Sequence, residues 1–332
     1  MQLLVAVAVA VALVVGVGAG PAGASSVGTT DLGGIGVRLV DAPVAMKDDP
    51  RALLYIVDHL APGAVIERRI EVSNTTGATA EIALYAAAAT IQSATFVGSA
   101  GRAVNDLSSW TSVAPGTATL PPDGRLTATV TVAVPNDAAP GEQYGAVWAE
   151  VRSSPVDGRS VVQVNRVGLR LYVSVGPGGA PSADFTIDSL TAARSADGRP
   201  TVEAAVRNTG GRALDMNGNL RLSDGPGGLS AGPFDVTLGS TLPIGATEPV
   251  TIALDPRLPA GPWKANITLT SGMVERTASA TLVFPDAGPG PAVAATAPSS
   301  RSLLPFAGVA GLGVLLLLLL AFAKTRPRLR RS

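Results

Sequence analysis

Between Asp31 and Phe284 the hydrophobic positions recur with a period of two, and no stretch carries the wider stripe of an amphipathic helix. In Val65–Val72, Ile66, Ile70 and Val72 alternate with charged neighbours, and Ser73-Asn74-Thr75-Thr76-Gly77 then reads as a turn. Leu126–Val134 places threonines between apolar residues, and Ala146–Val151 and Val167–Val173 continue the pattern. Such alternation buries one face of a strand and leaves the other to solvent, as in antiparallel sandwiches. The alanine-rich run Ala83–Ala89 is open to two readings, strand or short helix.

The second half repeats the grammar of the first. Val202–Gly211 echoes Ile70–Gly77, and Leu242-Pro243-Ile244-Gly245 before a strand echoes Leu120–Gly124. Pro259-Ala260-Gly261 before Trp263 echoes Ala139-Pro140-Gly141 before Tyr144. The expected fold is therefore all-β, with two tandem immunoglobulin-like β-sandwich domains at 25–176 and 177–284 and one C-terminal transmembrane helix. The cysteine–tryptophan–cysteine signature of antibody domains is missing.

The ends supply an expected address. Leu3–Val17 is apolar and leads to Ala22-Gly23-Ala24, so 1–24 reads as a signal peptide, although no basic residue precedes it and an uncleaved anchor is the alternative. Residues 285–302 read as a Pro/Ala/Ser-rich linker. Leu303–Ala323 is long enough, at about 1.5 Å per residue, to cross a hydrocarbon core of about 30 Å. The basic tail 324–332 favours a cytoplasmic C-terminus. The expectation is a single-pass protein of the cell membrane with its ectodomain outside.

Charge and composition narrow the chemistry. The chain has 25 basic and 25 acidic residues, but five of the basic ones follow residue 323; the remainder holds 20 basic against 25 acidic residues, a net charge of −5. That balance argues against a nucleic-acid partner. With no cysteine and a single histidine, His59, thiolate chemistry, cysteine-based metal sites and disulfides are excluded. No nucleophile-elbow, zinc-protease or phosphate-loop pattern occurs, so the chain reads as a non-enzyme without cofactor or metal. Asp41, Asp48 and Asp49 form a loose acidic group without calcium-loop spacing and read as a solvated loop. Asn74-Thr75-Thr76 and Asn266-Ile267-Thr268 match the glycosylation pattern by chance. Trp148, inside an alternating strand, is expected in a core. Trp110, among serines and threonines, and Tyr144 are the candidate binding residues.

Leu54–Asp58 with Pro62-Gly63, Ile70–Thr76, Leu120–Gly124, Val134–Gly141, Tyr144–Val147 and Arg166–Tyr172 form an ordered set over about residues 38–175. In this order they resemble the bacterial WxL-interacting, DUF916-containing family of cell-surface proteins. The resemblance implies non-enzymatic binding of cell-wall polymer (peptidoglycan), of a secreted surface protein, or of both. The alternative is a structural accessory subunit of an envelope or transport complex, assembled through its transmembrane helix, where Gly308, Gly311 and Gly313 offer a packing patch.

Overall fold

The computed structural model describes residues 34–43, 46–152, 162–236 and 240–297. The expected signal peptide, membrane span and basic tail lie outside these residues. What they form is an all-β protein of two sandwiches, each with its own hydrophobic core.

In the first sandwich one sheet has the order β1 (Ile35–Leu39), β3 (Val65–Asn74), β8 (Arg125–Ala133), β6 (Thr111–Ala114). The facing sheet runs β2 (Ile56–Leu60), β10 (Val164–Val175), β9 (Gly141–Arg152), β4 (Ala80–Gln92), with β5 (Thr95–Gly98) and β7 (Thr117–Leu120) each pairing a part of β4. Alternation decides which side chains meet. Ile70, Val72, Val130 and Val132 of one sheet pack on Ile82, Leu84, Val147, Ala149, Leu171 and Val173 of the other. Fully burying each larger one is worth about 1.5–3 kcal/mol. Two single-turn helices, α1 (Pro50–Leu54) and α2 (Asp106–Trp110), fill gaps at the sandwich margin. Asn105 and Ser108 cap α2 reciprocally, and Leu107 enters the core. Ala83–Ala89 is strand, not helix: Ala87, Ala88 and Ala89 are buried on both faces, where only small side chains fit.

In the second sandwich one sheet has the order β17 (Thr247–Ala253), β12 (Pro200–Asn208), β11 (Phe185–Arg194), β20 (Gly288–Ala294). It faces β15 (Ala231–Asp235), β14 (Asn217–Ser223), β18 (Gly261–Ser271), β19 (Val274–Phe284). A short pair, β13 (Leu214–Asp215) with β16 (Thr241–Leu242), lies beside them. Trp263 is the largest wholly buried side chain, and its indole nitrogen donates to the Pro259 carbonyl at 3.2 Å. Part of the stretch read as linker is thus β20, paired with β11 from Arg194↔Gly288 to Ser189↔Ala294. Its prolines hid it. They are tolerated because β20 is an edge strand, bonded on one side only.

The sequence echo has a structural cause. Asn74 ends β3 fully buried, and its amide donates to the carbonyls of Ala78 and Leu120 at 2.9 Å and of Pro121 at 3.1 Å. Its oxygen accepts from the Thr76 amide at 3.0 Å. Asn208 ends β12 in the same way, donating to Arg212 (2.9 Å) and Leu242 (3.2 Å) and accepting from Gly210 at 3.0 Å. Each asparagine ties its own turn to the end of a later strand, β7 at Leu120 and β16 at Leu242. Being buried, Asn74 is closed to glycosylation.

Candidate partner-binding face

The outer face of the β2–β10–β9–β4 sheet, away from the core, gathers most of the aromatic rings of the first sandwich. Register sets the rows: Tyr85 of β4, Trp148 of β9 and Gly168 of β10 are direct neighbours across the sheet. Trp148 therefore lies on the outer face, not in the core as expected; a strand's alternation fixes that a side is taken but not which one. The indole lies flat because two glycines let it. A Cβ on Gly98 would sit 2.3 Å from the ring, and one on Gly168 would sit 2.7 Å from it. Arg166 covers the ring at 4.2 Å and is held there by the carbonyls of Ser99 (2.8 Å) and Gly101 (3.1 Å). Arg102 likewise covers Tyr85 at 4.0 Å. Gly168→Val is expected to lift the indole, red-shift tryptophan emission and destabilise the fold by about 1–3 kcal/mol. Emission spectra with urea melts check it.

Further along the same face the second sandwich packs down. Tyr172 is the centre, with Tyr55, Phe96 and Tyr144 at ring distances of 5.8, 5.2 and 5.9 Å. Its hydroxyl donates to Asp215 Oδ1 at 2.9 Å. Thr241 (2.8 Å) and Arg170 (3.1 Å) donate to the same oxygen, and Arg51 Nε donates to Oδ2 at 2.8 Å. Glu142 Oε2 accepts from the Ala213 amide at 2.6 Å and from the Tyr144 hydroxyl at 2.8 Å. Burial pushes the Glu142 carboxyl above its usual range, against the lowering pull of those two donors. Burial, then the neighbouring Asp215 charge, raises the Tyr172 phenol, and burial with Glu142 raises that of Tyr144. Both tyrosines stay neutral donors throughout the physiological range.

The residues expected to bind fall in different places. Tyr144 is half-buried in this junction. Trp110, at the end of α2, packs half-buried against the first core, because the polar neighbours that made it look exposed are cap residues. His59 Nδ1 lies 2.9 Å from Ser174 Oγ, and no carboxylate of the described residues bonds the ring. Asp41 pairs with Arg69 at 2.7 Å, while Asp49 is buried and caps α1 through the Arg51 amide. Among the described residues no group of acidic, histidine or cysteine side chains is placed to hold a metal.

One feature of this face was not visible in the sequence. β2 runs parallel to β10 and pairs only Leu171–Val175. From Val164 to Arg170, β10 is bonded to β9 on one side and to no described strand on the other. Along this edge Val167 and Leu169 point to the core side, while Arg166 and Arg170 lie on the outer face. Across the gap stands β1, with Ile35 and Val37 half-buried.

No family model matches the chain, and no curated protein matches it. Solved structures to which it is similar include a YadV chaperone, at 9% identity over 68% of this chain and 97% of that one, with a TM-score of 0.37. The Salmonella enterica SafA pilin in complex with the SafB chaperone matches at 10% identity, 75% and 97% coverage and 0.39. The CsuC–CsuE chaperone–tip adhesion subunit complex of Acinetobacter baumannii matches at 11%, 68%, 94% and 0.34. Likenesses this distant carry no argument about mechanism.

These findings correct the sequence reading. The resemblance to the WxL-interacting, DUF916 family does not hold: no family model matches the chain. The physical reason lies in the asparagine ties, since Ile70–Thr76 and Leu120–Gly124 recur as Val202–Gly210 and Leu242–Gly245 for a packing purpose. The membrane-anchored, peptidoglycan-binding surface function falls with it, as does the accessory subunit held through its transmembrane helix. The cell-membrane location is not carried forward: no helix among the described residues is long and apolar enough to cross a membrane, and the expected span 303–323 lies outside them.

Proposed function

We propose that this chain is a non-enzymatic binding protein that holds an extended segment of a secreted protein as an added strand along β10. The observation that carries this reading is the edge from Val164 to Arg170, which no described strand pairs on the side away from β9, so that every second residue turns its backbone donor and acceptor outward. At about 3.3 Å per residue the edge is roughly 23 Å long, and a strand laid on it would gain main-chain bonds with little demand on sequence. Specificity would come from alternation. Inward side chains of the guest would meet Val167, Ile35 and Val37 and should be apolar, while outward ones would lie beside Arg166 and Trp148. In this reading the sandwiches are immunoglobulin-like, with a boundary near residue 176, and the second one braces the face that carries the edge.

A photo-crosslinking residue at Val164, which is exposed at 45%, tests it in the full chain made in its native cells. The expected result is a small set of adducts with exported proteins, lost when Val167→Asp puts a charge under the edge. The same label at Val283, exposed in the other sandwich, should give none of them. Identical adducts at both positions, or adducts indifferent to Val167→Asp, would remove the proposal.

A further inference from the structure

The junction leaves several buried hydrogen-bond donors without an acceptor among the described residues. Arg51 is 5% exposed; its Nε bonds Asp215 and its guanidinium lies 4.6 Å from the Tyr172 ring centre, while its Nη2 is buried and has no hydrogen-bond acceptor among the described residues. Arg212 Nε and Ser271 Oγ are buried in the same condition. The three belong to segments that abut. Asp49, which caps α1 and accepts from the Arg51 amide, is so close to the β18–β19 turn that a Cβ on Gly272 would lie 2.8 Å from Asp49 Oδ1. Ser271 is the neighbouring residue. Arg212 precedes Ala213, whose amide binds Glu142, and its guanidinium is held below its usual value by burial first and then by the Arg51 charge.

The carboxylates in reach make their hydrogen bonds elsewhere, Asp49 and Glu142 acting on Arg212 through charge alone. Asp215 serves four donors, two of them arginines; Glu142 serves the Ala213 amide and Tyr144; Asp49 serves the Arg51 amide. Buried, unanswered N–H groups on Arg51 and Arg212, with a buried unanswered hydroxyl on an abutting segment, are a donor set for oxygen and not for a cation. An unsatisfied buried charged donor is among the most expensive groups in a fold. We propose that the junction binds a small inorganic oxyanion, phosphate or sulfate, through Arg51 Nη2, Arg212 Nε and Ser271 Oγ. The anion would then bridge the sandwiches, Arg51 belonging to the first and the other two to the second. This site is independent of the β10 edge.

The test is thermal melting of the full chain in phosphate, in sulfate, and in sodium chloride at equal ionic strength. The melting temperature is expected to rise by about 3–5 °C at ten times the dissociation constant of the anion. Chloride should reproduce little of the rise. Arg212→Met is the informative variant because it also relieves a repulsion. It should melt no lower than the parent in chloride and show no rise with phosphate. Ser271→Ala, a milder change, should weaken phosphate binding about fivefold in a calorimetric titration. No phosphate-specific rise in the parent, or an equal rise in Arg212→Met, would overturn the site. Should Arg212→Met fail to fold, unchanged phosphate affinity in Ser271→Ala would overturn it instead.

Discussion

Asp215→Ala is expected to destabilise the protein by about 3–5 kcal/mol, the range for leaving one member of a buried ion pair alone. Its carboxylate takes Arg51, Arg170, Tyr172 and Thr241 at 2.8–3.1 Å, and among the described residues Arg51 has no other carboxylate in a salt bridge. Truncation leaves that guanidinium charged in a site where water cannot replace the lost oxygens. The damage should be local to the contact between sandwiches, since the carboxylate enters neither hydrophobic core. Calorimetry should therefore show unfolding that separates into two transitions. Asp215→Asn keeps the shape but turns one end of the group into a donor facing donors, and should recover little. Asp197→Ala, which breaks the fully exposed pair with Arg199, should leave the trace unchanged. A single transition at the parent temperature for Asp215→Ala would show that the contact carries no load.

Asn74→Ala and Asn208→Ala are the second pair of large effects, each about 3–5 kcal/mol by urea denaturation. The reasoning is a count of orphans. Removing Asn74 strips the buried Leu120 carbonyl and the part-buried Ala78 and Pro121 carbonyls of their side-chain donor and the Thr76 amide of its acceptor. Each group left unsatisfied costs about 1–3 kcal/mol, offset in part where the turn relaxes toward water. Asn74→Asp separates donor from acceptor: it keeps the oxygen for Thr76 and has nothing for the carbonyls, so it should fare no better than alanine. If either aspartate variant melts near the parent, the carbonyls are not what the asparagine holds.

Much of the fold could be read before any coordinates. Alternation located β3, β8, β9 and β10 because a half-buried strand imposes its period on the chain. The echo of Asn74 in Asn208 was legible as repeated turn grammar, but its role as a tie was not, since a turn asparagine and a buried one look alike in sequence. β20 was hidden because Pro and Gly signal a linker unless one knows that only one edge is bonded. Trp148 could be placed on a strand, yet not on a face. Trp110 was misread because the capping residues of α2 resemble a polar loop. The binding edge and the junction were out of reach for a different reason. The free half of β10 depends on where its neighbour β2 stops, and Arg51, Glu142, Tyr172, Asp215 and Thr241 meet only through the topology.

The junction also bears on how the molecule can be taken apart. Tyr55, Phe96, Tyr144 and Tyr172 form a ring cluster that shares its cover with Ala213 of the other sandwich. Severing the chain between the two would turn that interior into surface and strand Arg51 beside a face it was never built to wet. Each half would keep a complete hydrophobic centre and still be unfinished, with a sticky, charged scar where its sibling had been. Dissection into halves is thus the wrong way to ask which sandwich binds; the question belongs to the intact chain, altered one side chain at a time.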